Sequence, residues 1–252
     1  MSYFYVYDKF VQEKRYEREI IRVEQKLTDI GIQGKVGRLA LFRNAVELVR
    51  DEVRRGATTI VVVGNDATFH QLMGVLPELG IAVGFIPVGD SCRISQVLGV
   101  PPGAEACDVL SARLTETLDV GKINNQYFLT SVDVFHQNAV LDIDGKFKIS
   151  TPTGGGIEVR NLGSLGYKDL KEGLADPRDG KLDTIIFADL PKEGIFSKSR
   201  TTQSSIPLHH LNIVGEGPLT AIVDGVECKF ENIRIEAVPK ILKVITGKGR
   251  LV

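Results

Sequence analysis

Five residues that follow an apolar run could do chemistry: Gly64, Asn65, Asp66, Ala67 and Thr68. They come directly after "TTIVVV", whose β-branched residues are typical of a buried strand. Backbone N–H groups at such a strand-to-helix turn favour an anion such as phosphate. Asp66 beside a phosphate would need a cation or a donor between them, and Thr68 could bind a phosphate oxygen. The alternative is an ordinary turn in which Thr68 caps the helix.

A second turn further along the chain repeats this design. "GFIPVG" is an apolar strand that ends at Gly89, and the polar residues up to Arg93 then open a helix. Two adjacent parallel strands that end in such turns form a crevice at their carboxyl ends, where ligands usually bind in open α/β sheets. The sequence therefore predicts a ligand site to which Gly89 and Arg93 belong.

The elements that must position these turns alternate between strand and helix in the first half of the chain. Apolar strands between helices predict a parallel sheet that is covered on both faces. The predicted elements are a strand at Tyr3–Tyr7, a helix from Tyr16 to Ile30 capped by Gly31, a helix through "RNAVELVRDEVRRG" that ends at Gly56, a strand at Thr58–Val63, a helix "TFHQLMGVLPELG" interrupted or ended near Pro77, and a strand "IAVGFIPVG".

After about Gly121 the pattern changes to short strand-like pieces separated by Gly, Asp and Pro, among them "GGGIEVRNLG", "LTAIVDGVECKF", "NIRIEAV" and "ILKVITG". This pattern is typical of an all-β sandwich. We therefore predict an α/β plus all-β fold. A doubly wound parallel-sheet domain at residues 1–120 is followed by a β-sandwich domain at residues 121–252, and the last strand is free to return to the first domain.

Composition excludes several classes of protein. The 252 residues are 43% hydrophobic and carry a net charge of −1 without a long basic stretch, which argues against nucleic-acid binding. Three scattered cysteines, Cys92, Cys107 and Cys228, show neither metal-ligand spacing nor a disulfide framework and fit a reducing cytoplasm. The N-terminus lacks signal-peptide features, and no apolar run approaches the ~20 residues of a membrane helix. We expect a cytoplasmic protein.

The ordered motifs resemble the diacylglycerol kinase catalytic domain family, which includes sphingosine kinases and soluble bacterial lipid kinases. "GNDAT" stands where the family has Gly-Gly-Asp-Gly-Thr, and "GFIPVG" is similar to the start of its Pro-x-Gly-Thr-Gly-Asn-Asp-Phe motif. "TLDVG", "RDGKLD" and "VDGVE" follow in the family's order. The resemblance covers nearly the whole chain, although no single motif is intact.

The resemblance implies an ATP-dependent kinase that uses magnesium and phosphorylates a hydroxyl of a diacylglycerol-like lipid. Asp224 would be the general base that takes the proton from that hydroxyl. The phosphate-binding residues implied by the family are Gly64, Asn65, Asp66, Ala67, Thr68 and Gly89, with Arg93 as a further phosphate partner, and the implied magnesium-binding residues are Asp66, Asp119, Asp179 and Asp183. A lipid acceptor implies peripheral contact with a membrane, and a homodimer is compatible with the sequence.

The chain departs from the family at several motif positions. Asn65 and Ala67 replace two glycines, and Arg93 stands where the family has an aspartate. Val226 occupies the place of a family glutamate, and "YDKFVQEK" replaces an early Asn-Pro and glycine signature. These changes leave open a relative that binds a nucleotide or a lipid without catalysis, and, ranked third, an NAD kinase. The Asp224-Gly225 pair is also an ordinary hairpin turn in its own right.

Overall fold

The computed structural model describes residues 1–39, 44–90, 92–136, 139–151, 155–164, 173–189 and 201–252. These residues form two compact units. Unit 1 contains Met1–Leu118 together with Ile241–Val252, and unit 2 contains Asp119–Lys240. Among the described residues, no helix combines the length and the apolar character needed to cross a bilayer.

Unit 1 is a parallel sheet with helices, as the sequence predicted. Its sheet runs in the order β2, β1, β3, β4 and then the end of β16. Every residue of β1, β3 and β4 is buried, which explains why these strands read as continuous apolar runs. The elements are β1 (Tyr3–Tyr7), α1 (Glu17–Asp29), β2 (Lys35–Arg38), α2 (Ala45–Arg54), β3 (Thr59–Gly64), α3 (Asp66–Leu72), β4 (Ala82–Pro87), α4 (Arg93–Val97), α5 (Ala106–Ala112) and the last residues of β16 (Ile233–Ile245).

Helix ends in unit 1 follow the expected signals. The Asn44 side chain caps α2 by accepting hydrogen bonds from the Val46 and Glu47 N–H groups. Gly31 and Gly56, which follow α1 and α2, have φ values of +72° and +100°, in the left-handed region that glycine adopts without strain. Helix α3 is shorter than the apolar pattern suggested: it ends at Leu72, and the segment around Pro77 is a separate 3-10 turn at Leu76–Leu79.

Unit 2 is a β-sandwich, which confirms the predicted fold class. One antiparallel sheet has the order β12, β11, β10, β7, β14, β15, and the other contains β16, β13, β8 and β9. Apolar residues of both sheets form one buried core. The strands are the last residues of β5 (Thr115–Ile123), β6 (Gln126–Phe128), β7 (Ser131–His136), β8 (Ala139–Ile143), β9 (Phe147–Thr151), β10 (Gly155–Arg160), β11 (Leu182–Asp189), β12 (Thr201–Leu208), β13 (His210–Val214), β14 (Leu219–Val223), β15 (Val226–Phe230) and the first residues of β16.

The division of the last segment into two strands, "NIRIEAV" and "ILKVITG", was wrong. Ile233–Ile245 is a single strand of 13 residues, β16. Its first residues pair antiparallel with β13, and Lys243 and Val244 pair parallel with β4. Pro239 lacks a backbone N–H, and Lys240 has a positive φ of +53°. Pro239 and Lys240 therefore interrupt the strand-like sequence pattern, but they do not end the strand.

Candidate active site

Three turns lie side by side at the carboxyl edge of the sheet in unit 1. They follow β1, β3 and β4, which are adjacent strands. Asp8 N–H donates to Val63 O at 3.0 Å, and Val88 N–H donates to Gly64 O at 2.8 Å. The ladder therefore continues to the last residue of each strand and brings the Gly64 turn and the Gly89 turn together, as the sequence predicted.

The turn after β3 is closed by a reciprocal capping box. Asn65 N–H donates to Thr68 Oγ1 at 3.1 Å, and Thr68 N–H donates to Asn65 Oδ1 at 3.2 Å. Asn65 has a φ of −118°, so its backbone is extended and does not need the glycine that the family has there. Ala67 is exposed in the first turn of α3. Both replacements of glycine therefore fit this backbone without strain.

Gly64 is required by close approach rather than by backbone conformation. A Cβ atom at Gly64 would lie 2.3 Å from Thr68 Oγ1 and 2.9 Å from Thr68 Cβ. The capping box thus leaves no room for a side chain at this position.

Asp8, which the sequence analysis missed, organises the same turn. Thr68 Oγ1 donates to Asp8 Oδ2 at 2.8 Å, and Asp8 Oδ1 accepts from Phe10 N–H at 3.1 Å. Asp8 belongs to "YDKFVQEK", the segment in place of the family's early signature. A charged residue placed directly after a fully apolar strand was the signal that could have identified it.

Asp66 joins the turns after β3 and β4. Its Oδ2 accepts from Arg93 N–H at 2.7 Å, and its Oδ1 accepts from Ile94 N–H at 3.0 Å, so the carboxylate caps the start of α4. Burial raises the pKa of Asp66, although these two N–H donors act in the opposite direction. Arg93 therefore enters the site through its backbone, while a contact of its guanidinium group with phosphate stays a prediction.

Gly89 and Cys92 shape the turn after β4. Gly89 has a φ of +80°, and a Cβ there would lie 3.0 Å from Tyr16 Oη and 3.1 Å from Phe10 Cε2. The rings of Phe10 and Tyr16 pack edge to face with centroids 5.4 Å apart. The Cys92 thiol lies among backbone carbonyl oxygens, 3.5 Å from that of Gly89. Burial raises the pKa of Cys92 to about 12, so the thiol stays protonated at neutral pH.

In unit 2, Asp119 is an internal hydrogen-bond hub. It is fully buried, and its two oxygens accept from the N–H groups of Lys240 and Gly180, each at 2.7 Å. Its own N–H donates to Pro177 O at 2.7 Å. The carboxylate holds three segments of unit 2 together. Its assignment to magnesium stays a prediction.

Asp224, the candidate base, forms a two-residue turn with Gly225 between β14 and β15. Both residues have positive φ values, +49° and +84°, as a type I′ hairpin requires. The carboxylate accepts from Leu129 N–H at 2.9 Å, Thr130 N–H at 2.8 Å and Thr130 Oγ1 at 2.5 Å. The turn therefore holds the Asp224 carboxylate in one orientation. This orientation is compatible with a general base and equally with an acid that only stabilises the turn.

The remaining magnesium candidates lie around the segment before β11. Asp179 is exposed, and its Oδ1 accepts from Lys181 N–H at 2.9 Å. Asp183 is half-buried, and burial together with the nearby Asp179 raises its pKa. Within the described ranges, no three His, Cys, Asp or Glu side chains are arranged to hold a metal ion.

A buried ion pair in unit 2 escaped the sequence analysis. Arg160 and Glu158, both on β10 and both 7% exposed, form two hydrogen bonds of 2.8 Å. Asp133 lies opposite Glu158 in the register of β7 and β10. Burial and the Glu158 charge raise the pKa of Asp133 to about 6. Alternating polar residues in "SVDVF" and "GIEVR" were the available signal.

Comparisons with known proteins give a family match for residues 4–123 and a fold likeness for nearly the whole chain. Residues 4–123 match the family model described as the diacylglycerol kinase catalytic domain. No curated protein matches the chain. The crystal structure of a diacylglycerol kinase from Bacillus anthracis str. Sterne has the same fold, with a TM-score of 0.77 and 16% identity over 98% of this chain and 97% of that chain.

A further solved structure, of a protein assigned to the same kinase class in that strain, has a TM-score of 0.78 at 15% identity and covers 98% of this chain and 95% of its own. At such identities the likeness concerns the fold alone. Residues 4–123 therefore carry the match to the diacylglycerol kinase catalytic domain family model, and the whole chain is similar in fold to these solved structures.

Proposed function

We propose that the chain is an ATP-dependent kinase that phosphorylates a hydroxyl group of a diacylglycerol-like lipid. The observation that carries the proposal is the set of three adjoining turns after β1, β3 and β4, which all lie within the family-matched residues 4–123. A close-packed glycine at Gly64, a capped helix start at Asn65 and a fixed acid at Asp66 are kept there despite the changed motif.

The proposal assigns each residue a separate task. The phosphates of ATP would lie against the turn from Gly64 to Thr68 and against the Gly89 turn. Asp224 would accept the proton of the lipid hydroxyl, since its three donors fix the orientation of the carboxylate. General-base help of this kind contributes about 10²–10⁴ in rate.

Magnesium bound with ATP would neutralise charge on the transferring phosphoryl group. Asp66 and Asp119 both accept two backbone N–H groups, but Asp66 is only half-buried and therefore fits such a role better. Asp119 fits direct metal binding poorly, since it is fully buried. Asp66 is therefore the first residue to test for a magnesium contact.

The closing experiment measures transfer of labelled phosphate from ATP and magnesium to diacylglycerol in detergent micelles, with NAD as an alternative acceptor. We expect labelled lipid from the wild type and a loss of at least about 10²-fold in Asp224→Asn. Asp144→Asn is a matched control: Asp144 also has a positive φ, +52°, and accepts from two backbone N–H groups, of His209 and His210. Failure of the folded wild type to label lipid would contradict the proposal.

A second candidate function, nucleotide binding without transfer, is favoured by the hydrogen bonds that already occupy Asp119. It predicts that ATP raises the melting temperature of the chain while no acceptor is labelled. Full activity that depends on Asp224 would rule it out.

Peripheral membrane contact is proposed from exposed apolar residues on unit 2. Val140 and Val214 are direct neighbours in the register of β8 and β13, so they share one face of the sheet, and they are 45% and 59% exposed. We expect the chain to co-sediment with lipid vesicles, and replacement of both valines by serine to weaken that binding. Equal sedimentation of the two proteins would contradict it.

A further inference from the structure

The side-chain amide of Asn161 joins two segments of unit 2 at the point where their own pairing stops. Asn161 directly follows β10 and is fully buried. Its Nδ2 donates to Asp119 O and to Leu129 O, each at 3.0 Å. Asp119 lies on β5 and Leu129 directly follows β6, and the ladder between these two strands ends at the pair Gly121 and Phe128. The amide therefore continues the connection between the two segments beyond the ladder.

The Leu129–Thr130 segment carries this connection to Asp224. Asn161 N–H donates to Thr130 O at 2.9 Å, so the backbone and the side chain of one residue hold both carbonyl groups of the segment. The N–H groups of Leu129 and Thr130 donate to the two carboxylate oxygens of Asp224, at 2.9 and 2.8 Å. Because each peptide group is planar and rigid, a shift of the segment moves these donors as well. The position of the Asp224 carboxylate thus depends on where Asn161 holds the segment.

The chemistry of position 161 favours a positional role over a purely stabilising one. Asn161 Oδ1 is buried, and none of the described groups donates to it. A buried acceptor without a donor costs free energy, which offsets the gain from the two bonds of Nδ2. Leucine has nearly the shape of asparagine and would bring neither the cost nor the gain. Core packing alone therefore does not account for an amide at this position.

We propose that Asn161 is a positioning residue for Asp224. It acts through the backbone of Leu129 and Thr130, whose donors orient the carboxylate. This inference rests on the proposed function, in which Asp224 accepts the proton of the lipid hydroxyl.

Asn161→Leu in the full chain tests the proposal through the transfer of labelled phosphate from ATP and magnesium to diacylglycerol. We expect kcat to fall about tenfold or more, because a misplaced base loses its alignment with the hydroxyl. The KM for ATP should change by less than about twofold, since only the chemical step is affected. In an Asp224→Asn background, Asn161→Leu should cause no further fall, because the group that it positions is already lost.

Thr184→Val is the matched control. Thr184 is also fully buried in unit 2, and no described group bonds its hydroxyl, so the change likewise removes a buried polar atom from that unit. Its kcat should equal that of the wild type. Should Asn161→Leu fail to fold, Asn161→Ala removes the same two hydrogen bonds of Nδ2 and repeats every measurement.

Hydrogen exchange at the amides of Leu129 and Thr130 tests the same inference without any activity. We expect exchange about tenfold faster or more in Asn161→Leu and unchanged in Thr184→Val. A wild type that labels no lipid would remove the proposed function, while the exchange rates would still decide whether Asn161 holds the donors of Asp224. Unchanged exchange, an unchanged kcat, or a further fall in the Asp224→Asn background would each overturn the positioning role.

Discussion

Thr68 Oγ1 donates a hydrogen bond of 2.8 Å to Asp8 Oδ2 and so ties the start of α3 to the end of β1. The same hydroxyl accepts the Asn65 N–H. Both functions of the hydroxyl are thus used within the protein, whereas the sequence also allowed a contact with phosphate. Thr68 therefore links the turn after β1 to the turn after β3.

Replacement of Thr68 by valine, which preserves shape and removes the hydroxyl, should lower the free energy of unfolding by about 1–3 kcal/mol, because Asp8 and Asn65 lose a buried partner. Thr68→Ser should retain most of that stability. Urea unfolding of the two variants measures the difference. Equal stability of serine and valine variants would show that the hydrogen bonds contribute nothing.

Gly64→Ala should destabilise the chain by about 1–3 kcal/mol, because the new methyl group would lie 2.3 Å from Thr68 Oγ1 and must displace it. Gly74→Ala is the control, since the nearest atom to a Cβ there, on Val46, is at 3.8 Å. Thermal unfolding should separate the two variants. A neutral Gly64→Ala would mean that the turn readily relaxes.

Asp66→Asn should loosen the start of α4, because the asparagine side chain offers one acceptor oxygen to the two N–H groups that the carboxylate now serves. Hydrogen exchange at the amides of Arg93 and Ile94 should then accelerate by about tenfold or more, matching a loss of about 1.5–3 kcal/mol. Asp90→Asn, an exposed change in the same turn, should leave both amides unaffected. Unchanged exchange in Asp66→Asn would show that the Asp66 carboxylate does not stabilise the start of α4.

The sequence predicted what local patterns determine. The all-buried strands β1, β3 and β4 were visible as apolar runs, and the Gly64 turn was visible as their abrupt end. The Asp8–Thr68 bond escaped prediction because it joins residues 60 positions apart. Strand β16 was divided in two because Pro239 usually ends pairing.

Residue roles within the site were harder to predict. The sequence suggested a role for the charged Arg93 side chain, whereas in the fold the Arg93 backbone N–H donates to Asp66. The Glu158–Arg160 pair was hidden because burial of a strand's polar face depends on what covers it, which no short pattern encodes.

Asp133 should make unfolding depend on pH in the mildly acidic range. Its pKa is raised to about 6 from 3.8, so the folded chain binds more protons than the unfolded chain between these values. Stability contributed by protonated Asp133 is therefore present at low pH and lost as pH rises from about 4 to 6. Asp133→Asn should flatten this fall in melting temperature and raise the melting temperature at pH 7.

The control for Asp133 is Glu231→Gln, which changes an exposed carboxylate of unit 2. It should leave the pH profile as in the wild type. A profile of Asp133→Asn that follows the wild type throughout would show that Asp133 ionises normally.

Strand β16 has a consequence for biosynthesis. Its final residues close the β4 edge of a sheet whose other strands were translated far earlier. While unit 2 is still being translated, the apolar strand β4 is an unpaired edge of the nascent sheet. Such an edge can mispair with other chains. Completion of the sheet in unit 1 must therefore wait until Lys243 and Val244 have been translated, after the whole of unit 2.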